Sequence, residues 1–324
     1  MSLDIDAVID RRRLRRKLTF WRVIALLAIV IGIGWAVTAS GDGLYFGTAS
    51  PHVARVTVGG LIRTDRARLE LLEEIGKSGA EAVIIAINSP GGTVVGSEAL
   101  YDGIRRLAEK KPTVAVVEGI AASGAYIAAL GTDRIFAPRT AIVGSVGVIF
   151  QYPNFYELLK HVGVSVEEIK SSPLKASPSG YEPTSPEAKA AIKGLVDDTY
   201  GWFKNLVRER RSLDDAKLAL ASDGRIFSAA QAMPINLVDQ IGDERTARAW
   251  LKANKGVSEE LKVRDWRNRT LGSEFRWLGA LAAVAEWLGL PAIGALVGNE
   301  AIIGAAARAQ LDGLLAIWQP PLAD

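Results

Sequence analysis

The sequence predicts an α/β fold: a domain of repeated βαβ units around a largely parallel sheet, preceded by one apolar N-terminal helix. Three observations carry this prediction. From His52 onward strand-like and helix-like stretches alternate, the strands are apolar on both faces as a doubly covered parallel sheet requires, and an uncharged run at residues 23–37 follows a basic leader.

The leader, residues 1–19, holds Arg11, Arg12, Arg13, Arg15, Arg16 and Lys17. With Arg22 included, residues 1–22 carry seven basic side chains against three aspartates, a net +4, which leaves about −1 for the remainder of a chain whose total is +3. The near-neutral remainder argues against a nucleic-acid surface. Residues 20–40, "FWRVIALLAIVIGIGWAVTAS", approach the roughly 20 apolar residues that span a bilayer, with Phe20, Trp21 and Trp35 at the edges, where aromatic rings suit the interface. A retained transmembrane anchor is the expectation, and a cleaved signal peptide is its rival because Ala36, Ala39 and Ser40 are small. Basic flanks stay cytoplasmic, so the bulk of the chain is expected across the membrane. Residues 41–50 read as a glycine-rich linker.

In the domain expected at residues 51–270, "HVARVTVGGLI" reads as a strand with a glycine turn and "RARLELLEEIGKSG" as an amphipathic helix. "AEAVIIAINSPGG" is a buried strand, "TVVGSEALYDGIRRLAEKK" a second helix, and "PTVAVVEGI" a third strand that ends near Glu118. A short helix from Ser123 to Leu130 and the strands "RIFAPRTAIVG" and "VGVIF" follow. "YPNFYELLKHVGVSVEEIK" reads as helix then strand, and a loop dense in proline and serine leads to a long helix with Ser185 as cap and Pro186 in its first turn. "DGRIFSAAQAMPINLVDQIG" closes the domain with a short strand, a helix and a turn. Residues 271–324 are apolar but interrupted by Pro291 and Gly294, which fits a helical hairpin at an interface, or packing on the core, better than a second span.

The chain has no cysteine, which excludes thiol chemistry and disulfides, and only two histidines, His52 and His161, with no zinc pattern. Three stretches can support chemistry. Ser123 in "EGIAASGAYIAA" follows a strand and opens a helix, a place that suits either an ordinary N-cap or a nucleophile beside free backbone amides. "INSPGG" ends a neighbouring parallel strand, so Gly91 or Gly92 can approach the serine turn, although turn chemistry alone also explains Pro-Gly-Gly. A serine needs a base, neither histidine is well placed, and a lysine kept neutral by burial is the other common solution. Lys175, in the loop "KSSPLKASP", is the candidate, and a solvated loop lysine is the alternative.

Taken in order, "INSPGG", "EGIAASGAYIAA", "GSVGV" and "IKSSPLK" resemble the signal peptide peptidase A family, serine peptidases of the S49 class with a Clp-protease/crotonase-like fold. The resemblance runs from about His52 to Trp266. It implies Ser123 as nucleophile, Lys175 as general base, the amides of Gly92 and Gly124 as oxyanion donors, and Ser145 and Gly91 as support, without cofactor or metal. Lys170 is the alternative base, since Ser172 and Ala176 depart from the usual residues around the lysine; the 52-residue separation of Ser123 and Lys175 fits the family. Asn236 stands where the family usually has glycine, a substitution that asparagine tolerates in the left-handed conformation. The resemblance further implies remnant signal peptides as substrates, a homo-oligomer, and a bacterial inner membrane location with the catalytic domain periplasmic or extracellular. Two rivals are a crotonase-like acyl-coenzyme A hydratase or isomerase and a non-catalytic membrane scaffold.

Overall fold

The computed structural model describes residues 50–267, strand residues 314–317, and Lys17, Phe20 and Trp21. It divides into two units, Met1–Ser50 and Pro51–Asp324. In the first, Lys17, Phe20 and Trp21 are helical, and the two aromatic rings meet edge-on at 6.2 Å. The rest of the expected anchor at residues 20–40 lies outside the described residues, and among those described no helix is long and apolar enough to cross a membrane.

The second unit is built as the alternation predicts. Strand β1 (His52–Ile62) leads to α1 (Arg66–Lys77), β2 (Ala80–Thr93), α2 (Val94–Ala108), β3 (Thr113–Ala122) and α3 (Gly124–Leu130). Asp65 and Thr93 cap α1 and α2 by accepting from the amides of Arg68 and Gly96, which removes an orphan donor from each first turn. There follow β4 (Arg134–Ala137), β5 (Ile142–Gly144), β6 (Ile149–Phe150), α4 (Tyr156–His161), α5 (Pro186–Arg211), α6 (Asp215–Ala221), β7 (Ile226–Ser228), α7 (Ala229–Ala232), β8 (Gln240–Ile241), α8 (Glu244–Lys255) and β9 (Val263–Trp266). Ser185 caps α5 and Pro186 enters its first turn, as expected. The last strand is β10 (Leu314–Ile317), in a stretch whose composition reads as helical.

Strands β9, β1, β2, β3, β4 and β8 lie side by side, and every neighbouring pair among them is parallel. Both faces are covered because alternate residues serve different layers. On β2, Val83, Ile85 and Ile87 join the core against α1, α2 and α3, while Ala82 and Ile84 join a second cluster with Ala247 and Leu251 of α8. Each fully buried Ile or Val contributes about 1.5–3 kcal/mol by leaving water. At their C-terminal ends the strands change partners. The last residues of β3 pair with β5, which pairs antiparallel with β7, and the last residues of β2 pair antiparallel with β10, which pairs antiparallel with β6.

Two boundaries differ from expectation. Strand β3 runs past Glu118 to Ala122, because pairing of Ile120–Ala122 with β5 outweighs the weak strand preference of glycine and alanine. No strand forms among the described residues 162–170; there the apolar alternation of Val162, Val164 and Val166 is exposed and has no sheet edge to join.

Candidate active site

Parallel strands gather their C-terminal ends at one edge, and that edge holds all the serine and glycine candidates. Ser123 follows β3 directly and precedes α3. Its φ is 54° and its ψ −117°, a conformation costly by about 1–3 kcal/mol for a residue with a Cβ. It is 1% exposed, its amide donates to Gly144 O at 2.7 Å, and its carbonyl accepts from the amides of Tyr126 and Ile127, which starts the helix. Its side chain makes no capping hydrogen bond. The N-cap role open to this serine is therefore not the one it plays; backbone bonds hold a strained turn with the hydroxyl uncommitted to the helix. Gly124, at the first helical position, has an amide with no acceptor available within the helix.

The helix that follows is unusual for its length. All seven residues of α3 are buried, which its small side chains permit. Its carbonyl end is closed by guanidinium groups: Arg210 donates to Leu130 O at 2.8 Å and Thr132 O at 3.0 Å, and Arg105 donates to Gly131 O at 3.1 Å. The hydroxyl of Tyr126 donates to Leu237 O at 2.8 Å, and complete burial pushes this phenol well above its ordinary range. Leu237 belongs to the closing segment, which Arg211 ties through a two-bonded ion pair to Asp239. Asn236 takes φ 63° there, the left-handed conformation expected of it.

On the neighbouring strand, Ser89 pairs with Ala121 across the β2–β3 ladder, and two residues further along each chain stand Gly91 and Ser123. Ser89 is buried, donates to Gly60 O at 2.6 Å and accepts from the Gly91 amide at 3.1 Å. The Gly91 amide is thus committed inside the loop, where Gly91 takes φ 112°. At Gly92 a Cβ would lie 1.8 Å from Ile62 O, so only glycine allows β1 and β2 to approach this closely. Sequence reasoning passed over Ser89, although a serine at the end of an otherwise apolar buried strand marks a polar group that must find partners.

Ser145 follows β5 beside Ser123, has φ 53°, is 8% exposed, and its amide donates to Arg225 O at 2.8 Å. The lysines lie elsewhere. Lys175 is exposed in the loop after residue 170, and its ammonium makes no hydrogen bond or ion pair among the described residues; the structure does not bring it to Ser123 by any bond. Lys170 contacts Glu168 at 2.5 Å and Glu182 at 2.7 Å, and these carboxylates raise its pKa. Two anions stabilise the ammonium, which is the opposite of what a base requires. His52 is buried at the opposite end of β1, where the Trp266 indole donates to its Nε2 at 3.1 Å, and His161 ends α4 on the surface. Among the described residues no cluster of His, Asp and Glu could hold a metal ion.

The profile of peptidase family S49 matches residues 105–258, a stretch that contains Ser123, Ser145, Lys170 and Lys175. A Synechocystis sp. protein with a provisional protease name is 38% identical over 210 residues, covering 64% of this chain and 76% of its own length. Protease 4 of Haemophilus influenzae is 27% identical over 65% of this chain and 36% of its own, and the chloroplastic serine protease SPPA of Arabidopsis thaliana is 27% identical over 72% of this chain and 35% of its own. The chain therefore spans about a third of the length of those two relatives. Among solved structures, a ClpP1 mutant from Listeria monocytogenes superposes with a TM-score of 0.40 at 18% identity, over 59% of this chain and 92% of that one.

Proposed function

The chain belongs to peptidase family S49, and from that premise we propose that it is a membrane-anchored serine endopeptidase working through Ser123 and Lys175. One observation carries the reading: Ser123 is held in a costly backbone conformation, at the end of a parallel strand, without using its hydroxyl as a cap. A scaffold would have no use for that strain.

Lys175, in its neutral form, removes the Ser123 proton as Oγ attacks a peptide carbonyl. The amides of Gly92 and Gly124 hold the developing oxyanion, and Ser89 fixes the loop that presents Gly92 by holding the amide of Gly91. The lysine then protonates the leaving amine, and water hydrolyses the acyl-enzyme with the lysine again as base. Ser145, adjacent to Ser123 through the β3–β5 ladder, is the hydroxyl that orients the lysine. The exposed position of Lys175 leaves it available to Ser123 of its own chain or of a neighbouring protomer in a homo-oligomer. Remnant signal peptides are the substrate class, and the apolar segment at residues 20–40 would keep the enzyme on the membrane that holds them, with the catalytic domain outside the cytoplasm.

The test is hydrolysis of a fluorogenic apolar peptide by the full chain in detergent. Ser123→Ala is expected to remove nearly all activity, by roughly 10⁶-fold, and labelling by a serine-directed phosphonate with it. Lys175→Ala is expected to cost about 10²–10⁴-fold and Lys170→Ala little. Full activity in Ser123→Ala would sink the proposal.

A further inference from the structure

The most distant strand in sequence lies against the candidate oxyanion loop. Strand β10 pairs antiparallel with the end of β2, Leu315 opposite Thr93, Ala316 opposite Gly92 and Ile317 opposite Gly91. On its other edge Leu314 and Leu315 face Phe150 and Ile149 of β6. Cα atoms of β10 also come within 8 Å of Cα atoms in α2 and in α3, the helix that follows Ser123.

Apart from β10, no strand among the described residues pairs with β6, and β2 has no other partner on that side of Gly91–Thr93. Removing β10 would leave two strand edges facing each other across a slot one strand wide, about 10 Å from edge to edge. Such a slot offers main-chain hydrogen bonds to any extended peptide, and it runs past the glycine proposed to hold the oxyanion. On the peptidase reading, an extended peptide bound there would pass the loop of Gly91 and Gly92.

We propose that Leu314–Ile317 is the chain's own occupant of this peptide-binding slot, a tethered strand that substrate must displace. The inference rests on the peptidase reading for its consequence, though not for its geometry. The sequence around it, "LLAIWQPP", is apolar but for Gln319 and carries no charge, as expected of a segment that imitates an apolar substrate. A tethered segment acts at an effective concentration of about 1 mM. If the free peptide has an affinity of about 0.1–1 mM, the apparent KM for substrate is raised roughly 2- to 10-fold.

Leu315 has a strand partner on both sides, so proline there removes a ladder hydrogen bond whichever way its N–H points. In the full chain, Leu315→Pro is expected to lower KM for an external peptide about 2- to 10-fold with kcat little changed, and Leu315→Gly to act in the same direction with smaller effect. A second readout does not depend on catalysis. A labelled synthetic peptide of residues 310–321 should bind full-length Ser123→Ala carrying Leu315→Pro more tightly than Ser123→Ala alone, by fluorescence anisotropy. Equal peptide binding with unchanged KM, or a KM that rises, would overturn the proposal. Loss of all hydrolysis in the wild type would instead refute the peptidase reading, and the binding comparison would still decide the occupancy of the slot.

Discussion

Replacing Gly92 by alanine tests how tightly the loop geometry is set. The added Cβ would fall 1.8 Å from Ile62 O and 2.6 Å from Ile62 N and C, whereas Cβ atoms essentially never come within 3.0 Å of a neighbour. The shortfall of at least 1.2 Å is against backbone, so no side chain can yield; the β1–β2 ladder, with Leu61 opposite Gly91 and Ile62 opposite Gly92, must part. Overpacking of this kind costs about 1–3 kcal/mol or more in stability. It also moves the Gly92 amide by about 1 Å, and a misplacement of that size costs on the order of 10²-fold in rate, close to the effect of deleting one oxyanion donor. Gly194, exposed in α5 with open space for 4 Å around the place a Cβ would take, is the control: Gly194→Ala should gain about 0.5–1 kcal/mol and leave activity alone. Circular-dichroism melts and kcat for a fluorogenic peptide measure both effects. A folded Gly92→Ala enzyme with kcat within about threefold of wild type would remove Gly92 from the oxyanion site.

Further expectations follow from single residues. With φ at 54°, Ser123→Gly should be at least as stable as Ser123→Ala in a denaturant titration, reversing the usual advantage of alanine of about 0.5–1 kcal/mol; the ordinary order would mean the turn is not strained. Tyr126→Phe leaves Leu237 O without its buried donor, and a loss of about 1–3 kcal/mol should appear in thermal melts. Lys170 holds the Glu182 carboxyl below its ordinary value of 4.5, so the pair's contribution to the loop is complete above that value and lost as pH falls through the lowered one. Limited proteolysis of the 171–181 loop should therefore accelerate in acid, and Glu182→Gln should show fast cleavage at every pH. Equal rates at pH 3 and 6 in the wild type would argue that the pair does not hold the loop.

The parts of the fold that were legible in the sequence are those where one local pattern decides. Runs such as "AEAVIIAI" leave no alternative to a buried strand, and Ser185 with Pro186 marks a helix start that nothing tertiary disturbs. The site was legible less evenly. Ser123 and the Gly91–Gly92 pair lay in apparent strand ends, so their shared edge followed from parallel topology. Their strain did not, because the turn at Ser123 is held by a bond from its amide to Gly144 of β5, a strand pairing that no local pattern reveals. Ser145 drew attention only through family resemblance, since nothing in "GSVGV" reveals that β5 will pair with the end of β3. The ion pairs that count against Lys170 as a base come from Glu168 and Glu182, carboxylates whose convergence on it has no periodic signature.

The buried seven-residue helix α3 has a kinetic consequence. Its amides sit among the side chains of the main core, and its carbonyl end is tied down by Arg105 and Arg210, so hydrogen exchange there has to await near-global opening of the domain. The 162–181 stretch, exposed and with few backbone bonds, exchanges through local openings that leave the core shut. The turn that carries Ser123 and the loop that carries Lys175 thus sit on different rungs of the stability ladder. Substitutions in that stretch are expected to alter its local opening while the turn that carries Ser123 keeps its shape.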